Sequence, residues 1–203
     1  MSPRWVGALL LVSAIALGAL VLAARGREDE GRSGALPPPS RFEGATFPRG
    51  VRAPDFSLEN QDGERVTMAE LRGKPVIVTF LYTTCRESCP AQAQTVKGAM
   101  NDLGHDVPAL AISVDPPRDT PERARAFLRK QRMTGRMDFL LGSRNRLRRV
   151  WKRFAIRPQS AHEEHQAHMI LVDKRGLQRV GFPVEQATPE RLAHDVSMLE
   201  RER

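Results

Sequence analysis

The chain has 203 residues, which is enough for one domain of medium size and a short additional segment. Its 32 Lys and Arg outnumber its 24 Asp and Glu, giving a formal net charge of +8, and only 5% of its residues are aromatic. Because aromatic side chains are not interleaved with the basic ones, this charge is weak evidence for nucleic-acid binding, and we predict no such partner. A basic surface beside an anionic membrane leaflet accounts for the charge more simply.

Residues 5–24 form an uncharged and almost wholly apolar run. Its length matches the roughly 20 residues that a membrane-spanning helix needs, whereas the apolar core of a signal peptide usually has about 7–15 residues. Small residues near positions 22–24 leave cleavage open, so the alternatives are an uncleaved anchor and a cleaved signal. With either an anchor or a cleaved signal, the rest of the chain would be exported. We predict one N-terminal transmembrane helix, or a signal segment, within residues 1–25.

Residues 26–50 have the composition of a linker, with a charged stretch followed by three consecutive prolines at 37–39. A proline run is extended and fairly stiff, so it would hold the next domain away from the bilayer. No internal repeats are present in the chain. We therefore assign residues 51–203 to one globular domain.

The remaining pattern predicts alternating strands and helices. In chain order we expect a hairpin over 55–58 and 64–67, a strand over 76–81, a helix over 91–103 and a strand over 108–114. A helix should then run from Pro121 to about 132, with Asp119 or Thr120 as its cap. It is followed by a strand over 139–141, a helix over 143–154, a hairpin over 169–172 and 177–182, and a last helix starting at 188–190. Near-continuous apolar runs such as 76–81 are typical of strands buried on both faces. This order predicts a mixed α/β sheet with helices on both faces.

The only two cysteines, Cys85 and Cys89, lie between the strand over 76–81 and the next helix. This placement predicts a thioredoxin-like fold, although three residues separate the cysteines rather than two. If the helix begins at or just before Cys89, both sulfurs lie on one side of the turn. The positive partial charge of a helix N-terminus lowers thiol pKa and favours the thiolate, the form that binds metal or exchanges disulfides.

A second polar cluster precedes the predicted strand at 169 and contains His162, His165 and His168. A single histidine in a polar loop is usually an ordinary surface residue, but three of the five histidines lie within seven residues here. Two thiolates and one imidazole form a soft ligand set that suits Cu(I) and can also hold Cu(II) or Zn(II). With zinc, three protein ligands would form an open, catalytic type of site.

Two motifs resemble the signatures of the Sco/SenC family of copper proteins. The first, residues 79–90, contains both cysteines, and the second, residues 112–122, is a strand ending in Asp-Pro followed by Asp-Thr-Pro. They occur in the family's order, and the resemblance covers about residue 51 to the end. The chain departs from the family at Arg86, where proline is frequent, and at Ile170, where an aromatic residue is frequent. Neither departure removes a ligand.

The resemblance also identifies the third ligand. In the family a histidine stands eleven residues before a turn glycine, and counting back from Gly176 gives His165, with His168 as the reserve. The resemblance thus implies that Cys85, Cys89 and His165 bind copper. It implies a membrane-tethered copper chaperone. Such a protein delivers copper to, or maintains the thiols of, the binuclear copper site on subunit II of cytochrome c oxidase. From the uncharged run we expect a single span in the inner membrane with the domain facing the periplasm, and nothing in the sequence requires more than a monomer.

Three other interpretations compete with a metallochaperone. A periplasmic thiol–disulfide oxidoreductase would need Cys85 and Cys89 but not His165, and the family resemblance is compatible with both roles. A peroxidase would need a positioned arginine, and Arg86 is too close in sequence to the cysteines to serve. A structural disulfide is common in exported proteins, but bridging three residues would constrain the unfolded chain little.

Overall fold

The computed structural model describes residues 40–156 and 168–202. The predicted helix over 5–24 and two of the three clustered histidines, His162 and His165, lie outside these residues. Among the residues described, no helix has the length and apolar character needed to cross a membrane. The N-terminal transmembrane helix stays a prediction.

The described residues form eight strands and four α-helices. The strands are β1 (Ala45–Thr46), β2 (Ser57–Glu59), β3 (Arg65–Thr67), β4 (Val76–Leu81), β5 (Ala109–Ser113), β6 (Asp138–Leu140), β7 (His168–Val172) and β8 (Gln178–Pro183). The helices are α1 (Ser88–Leu103), α2 (Pro121–Gln131), α3 (Arg144–Arg153) and α4 (Pro189–Arg201), and a short 3₁₀ helix spans Val184–Gln186. Each predicted element from residue 55 onward is present, with its ends shifted by a few residues.

Six strands form one mixed sheet in the order β1-β8-β7-β4-β5-β6, and β2 pairs with β3 in a separate hairpin. Strands β4, β5 and β6 are parallel, whereas β7 and β8 run antiparallel to their neighbours. The side chains of Thr120, Ser143 and Thr188 each accept a hydrogen bond from the first turn of the helix that follows, which fixes where α2, α3 and α4 begin. The predicted mixed α/β architecture is confirmed.

Buried side chains form one cluster on each face of the sheet, because successive strand residues point to opposite faces. In β4, Leu81 joins the cluster that contains Cys89 and lies under α1, α2 and α4. Its neighbour Phe80 joins the opposite cluster, where Trp151 of α3 is packed. The cysteine pair therefore belongs to the face covered by three helices.

One compact unit of the chain begins at Arg41, inside the segment assigned to the linker from sequence. Strand β1 forms the edge of the sheet beside β8. The backbone N–H groups of Glu43 and Gly44 donate to the buried carboxylate of Asp195, at 2.8 and 3.0 Å. Residues 41–50 are thus in contact with the sheet. The sequence did not indicate this, because a two-residue strand is too short to produce a recognisable pattern. The division of the chain into an anchor, a linker and a domain stays a prediction.

Candidate metal centre

The loop between β4 and α1 positions both cysteines. Cys85 lies in this loop, where its N–H donates to the carbonyl of Tyr82 at 3.3 Å, and Cys89 lies in the first turn of α1. The N-cap residue Glu87 makes no capping hydrogen bond through its side chain. Instead the backbone N–H of Cys89 donates to the Cys85 sulfur at 3.2 Å. The Cys85 sulfur therefore satisfies one of the N–H groups that a helix start leaves unpaired.

Hydrogen bonding favours ionisation of Cys85. Partial burial raises the pKa of this thiol, but hydrogen bonds from the side chains of Cys89 and Ser88 and from two backbone N–H groups outweigh burial, so the pKa lies below its ordinary value. The Ser88 hydroxyl lies 3.3 Å from the sulfur. Cys85 is half-buried, so a thiolate formed there is reachable from solvent.

Cys89 has the opposite character. Its side chain is fully buried, and burial, together with the neighbouring Cys85 sulfur, holds the pKa of Cys89 well above its ordinary value. The expectation that a helix N-terminus lowers thiol pKa does not hold for Cys89, where burial dominates. No disulfide joins the two. The pair thus combines an accessible sulfur that ionises readily with a buried one that keeps its proton.

A buried carboxylate connects the two sequence motifs. One oxygen of Asp119 accepts both the N–H and the hydroxyl of Thr83 at 2.7 Å, two residues before Cys85. Its other oxygen accepts the hydroxyl of Ser113 at 2.5 Å, and the Ser113 carbonyl accepts the indole N–H of Trp151 at 2.9 Å. Burial raises the pKa of Asp119, an effect partly offset by these hydrogen bonds. Asp119 therefore fixes the cysteine loop against the end of β5.

The Asp119 network predicts a stability effect. Replacing Asp119 by alanine leaves three donors without their acceptor, and we expect it to lower the free energy of unfolding by about 2–4 kcal/mol. Asp119→Asn, which keeps the oxygen facing Thr83, should cost about 1 kcal/mol. Urea unfolding of the full chain checks both. Asp115→Ala is the matched control because the Asp115 carboxylate pairs with the exposed Arg118; a loss equal to that of Asp119→Ala would contradict the anchoring role.

A second buried polar contact lies one turn into α1. The hydroxyl of Thr79 donates to the side-chain oxygen of Gln92 at 2.5 Å, and both residues are fully buried. In the described residues the amide nitrogen of Gln92 has no hydrogen-bond partner. Residues three apart share a helix face, so this unpaired donor lies on the side of α1 that carries Cys89.

The histidines are placed less completely than the cysteines. His168 is the first residue of β7; its neighbour Met169 belongs to the Cys89 cluster and Ile170 to the opposite one. Because side chains alternate along a strand, His168 lies with Ile170, on the face opposite Cys89, where it lines an apolar cavity of about 300 Å³. This placement disfavours His168 as a ligand beside Cys89. Within residues 40–156 and 168–202 no group of three metal-binding side chains is assembled, so His165 stays a prediction.

Fold and cysteine site together define a thioredoxin-like protein with a thiol pair at a helix N-terminus. The family model described as SCO1/SenC matches residues 46–200, and the chain belongs to that family. Protein SenC of Rhodobacter capsulatus is 30% identical over 151 residues, covering 70% of this chain and 67% of SenC. The resemblance inferred from the two motifs is confirmed.

Solved structures agree with this assignment. The structure of Bradyrhizobium japonicum ScoI with copper bound is 28% identical, covers 73% of this chain and 99% of ScoI, and has a TM-score of 0.59. BsSco is described as a member of the Sco family of cytochrome c oxidase assembly proteins. Its match has a TM-score of 0.67 at 24% identity and covers 77% of this chain and 97% of BsSco, which shows a shared fold. The match covers only 39% of the length of the mitochondrial SCO1 homolog 1 of Arabidopsis thaliana and 47% of the length of the SCO1 protein homolog of Bacillus subtilis.

Proposed function

We propose that this chain is a copper-binding protein of cytochrome c oxidase assembly, with Cys85, Cys89 and His165 as ligands. The observation that carries the proposal is the arrangement of two free thiols at the start of α1, in which one sulfur is hydrogen-bonded to the backbone of the other cysteine. The copper bound by Bradyrhizobium japonicum ScoI and the role described for BsSco support it. Two sulfurs and an imidazole are the soft ligands that copper prefers.

The asymmetry of the thiols indicates how copper enters and leaves. Cys85 is accessible and readily ionised, so it makes the first bond to incoming copper and the last bond to departing copper. Cys89 must lose its proton before its sulfur can bind, and metal binding therefore releases protons. Affinity consequently falls as pH falls. A site completed by a histidine from a different segment of the chain is open enough for stepwise ligand exchange with an acceptor.

We further propose that residues 5–24 anchor the protein in the inner membrane with its domain in the periplasm. The acceptor is then the binuclear copper site of cytochrome c oxidase subunit II, which the chain loads with copper or keeps reduced. The length of the uncharged run and a cysteine pair suited to an exported domain support this arrangement. Mass spectrometry of the membrane fraction tests it: a soluble protein starting at or after Ala24 would contradict the anchor but not the export.

The same thiol asymmetry favours a second candidate function, thiol–disulfide exchange. An accessible thiol with a lowered pKa can attack a disulfide, and a buried neighbour can then resolve the mixed disulfide. This activity needs Cys85 and Cys89 alone. It is compatible with a chaperone that also maintains the thiols of its acceptor.

A copper titration separates the two functions. The reduced full chain in neutral detergent should bind about one copper and develop a thiolate-to-Cu(II) charge-transfer band, because thiolate sulfur is a ligand. His165→Ala should weaken this band and leave the rate of disulfide exchange unchanged. Rapid exchange without any copper uptake would instead establish the oxidoreductase and remove the copper function.

A further inference from the structure

The accessible side of the cysteine pair is a groove on α2. Cys85 lines a cavity of about 290 Å³ whose walls include Pro90 and Phe127, with Arg123 and Lys130 at its rim. Cys89 is fully buried. A partner that exchanges a metal or a disulfide with Cys85 can reach its sulfur through this groove.

The rim of the groove is positively charged. Arg123 and Lys130 are exposed and seven residues apart, so they lie on one side of α2. In the described residues neither forms a salt bridge, whereas Arg125 of the same helix pairs with Asp62 at 2.8 Å. The guanidinium of Arg123 donates to the carbonyl of Arg118 at 3.1 Å, which holds its charge near the groove.

In the described part of the chain, the nearby carboxylates form no salt bridge with Arg123 or Lys130. Asp119 is buried and occupied by Thr83 and Ser113. Glu87 and Glu122 are exposed, and neither forms a salt bridge with a basic side chain in the described part of the chain. The cationic side of the groove thus remains available to negative charge from outside.

We infer that this groove docks an acidic segment of the protein partner that exchanges copper or disulfides with Cys85. The cavity, of about 290 Å³, has room for one or two side chains of a partner. Carboxylates beside the partner's own ligand or thiol would pair with Arg123 and Lys130 and hold the reacting sulfur against Cys85. Whether the partner exchanges copper or a disulfide with Cys85 rests on the proposed function. The preference of the groove for acidic segments is independent of that function.

The test uses the full chain in neutral detergent and two thiol-free fluorescent peptides, one rich in glutamate and one with glutamine in its place. Fluorescence anisotropy should show that the glutamate peptide binds about three- to ten-fold more tightly, the range expected of two exposed ion pairs. Only this peptide should slow alkylation of Cys85 by iodoacetamide, because it covers the groove. Both effects should disappear near 1 M salt, where the screening length falls to about 3 Å.

The double variant R123Q/K130Q should lose the preference for glutamate and the protection of Cys85. The matched control is R148Q/K152Q, which removes two exposed cations from α3 on the other face of the sheet and should change the affinity less than two-fold. Equal affinity of the wild type for both peptides, or equal losses in the two double variants, would overturn the inference. A preference that depends on Arg123 and Lys130 in a protein that takes up no copper would uphold the groove and refute the copper function.

Discussion

Replacing either cysteine by alanine should lower the affinity of the reduced protein for copper by more than about 100-fold, beyond what loss of an outer-shell partner costs. Each change removes one of three proposed ligands, and within the described residues no group of three His, Cys, Asp or Glu side chains is placed to hold a metal. Titration of the full chain against a competing Cu(I) chelator measures the affinities. Ser88→Ala is the control, because the Ser88 hydroxyl contacts the Cys85 sulfur without being a proposed ligand. A loss below about ten-fold in either cysteine variant would refute ligation through that sulfur.

The histidine cluster supplies its own controls for the third ligand. His165→Ala should weaken copper binding as strongly as a cysteine substitution, whereas His162→Ala and His168→Ala should have little effect. For His168 the reason is structural, since its side chain lies with Ile170 on the face of the sheet opposite Cys89. If His168→Ala abolished binding and His165→Ala were silent, the assignment of the ligand by its distance from Gly176 would be wrong.

The sequence predicted the central architecture because its signals are local. The apolar run of β4, the capping residue Thr120 and the turn before Gly176 each specify an element without help from distant residues. Strand β1 escaped prediction since two residues carry no periodicity and depend on β8 for their conformation. The edge strand at residues 45–46 was therefore not recognisable from the sequence.

The site was predicted less completely because its chemistry depends on burial. Sequence position gave both cysteines the same helix-start environment, yet the structure buries Cys89 and leaves Cys85 accessible. The role of Asp119 was also missed. Its place before Thr120 makes it look like an alternative cap, and only the fold brings it to Thr83, 36 residues away in sequence. Because Thr120 is enough to cap the helix, the presence of a second polar residue at position 119 was the one signal in the sequence that pointed to another role for Asp119.

Copper binding should depend on the redox state of the thiol pair. The reduced chain should bind about one copper and the oxidised chain almost none, because a sulfur in a disulfide cannot serve as a thiolate ligand. Copper analysis after desalting of the reduced and oxidised full chain checks the stoichiometry. Equal uptake by both forms would mean that the sulfurs are not ligands.

Alkylation tests the same gating at each sulfur separately. In the reduced, copper-free chain Cys85 should react with iodoacetamide much faster than Cys89, because Cys85 is accessible with a lowered pKa and Cys89 is buried with a raised one. The Cys85 rate should fall as the pH drops through its pKa, since protonation removes the nucleophile. Bound copper should protect both sulfurs, as read by peptide mass spectrometry. A pure oxidoreductase would show the same difference between the thiols without protection by copper, so protection is the result that separates metal ligation from thiol exchange.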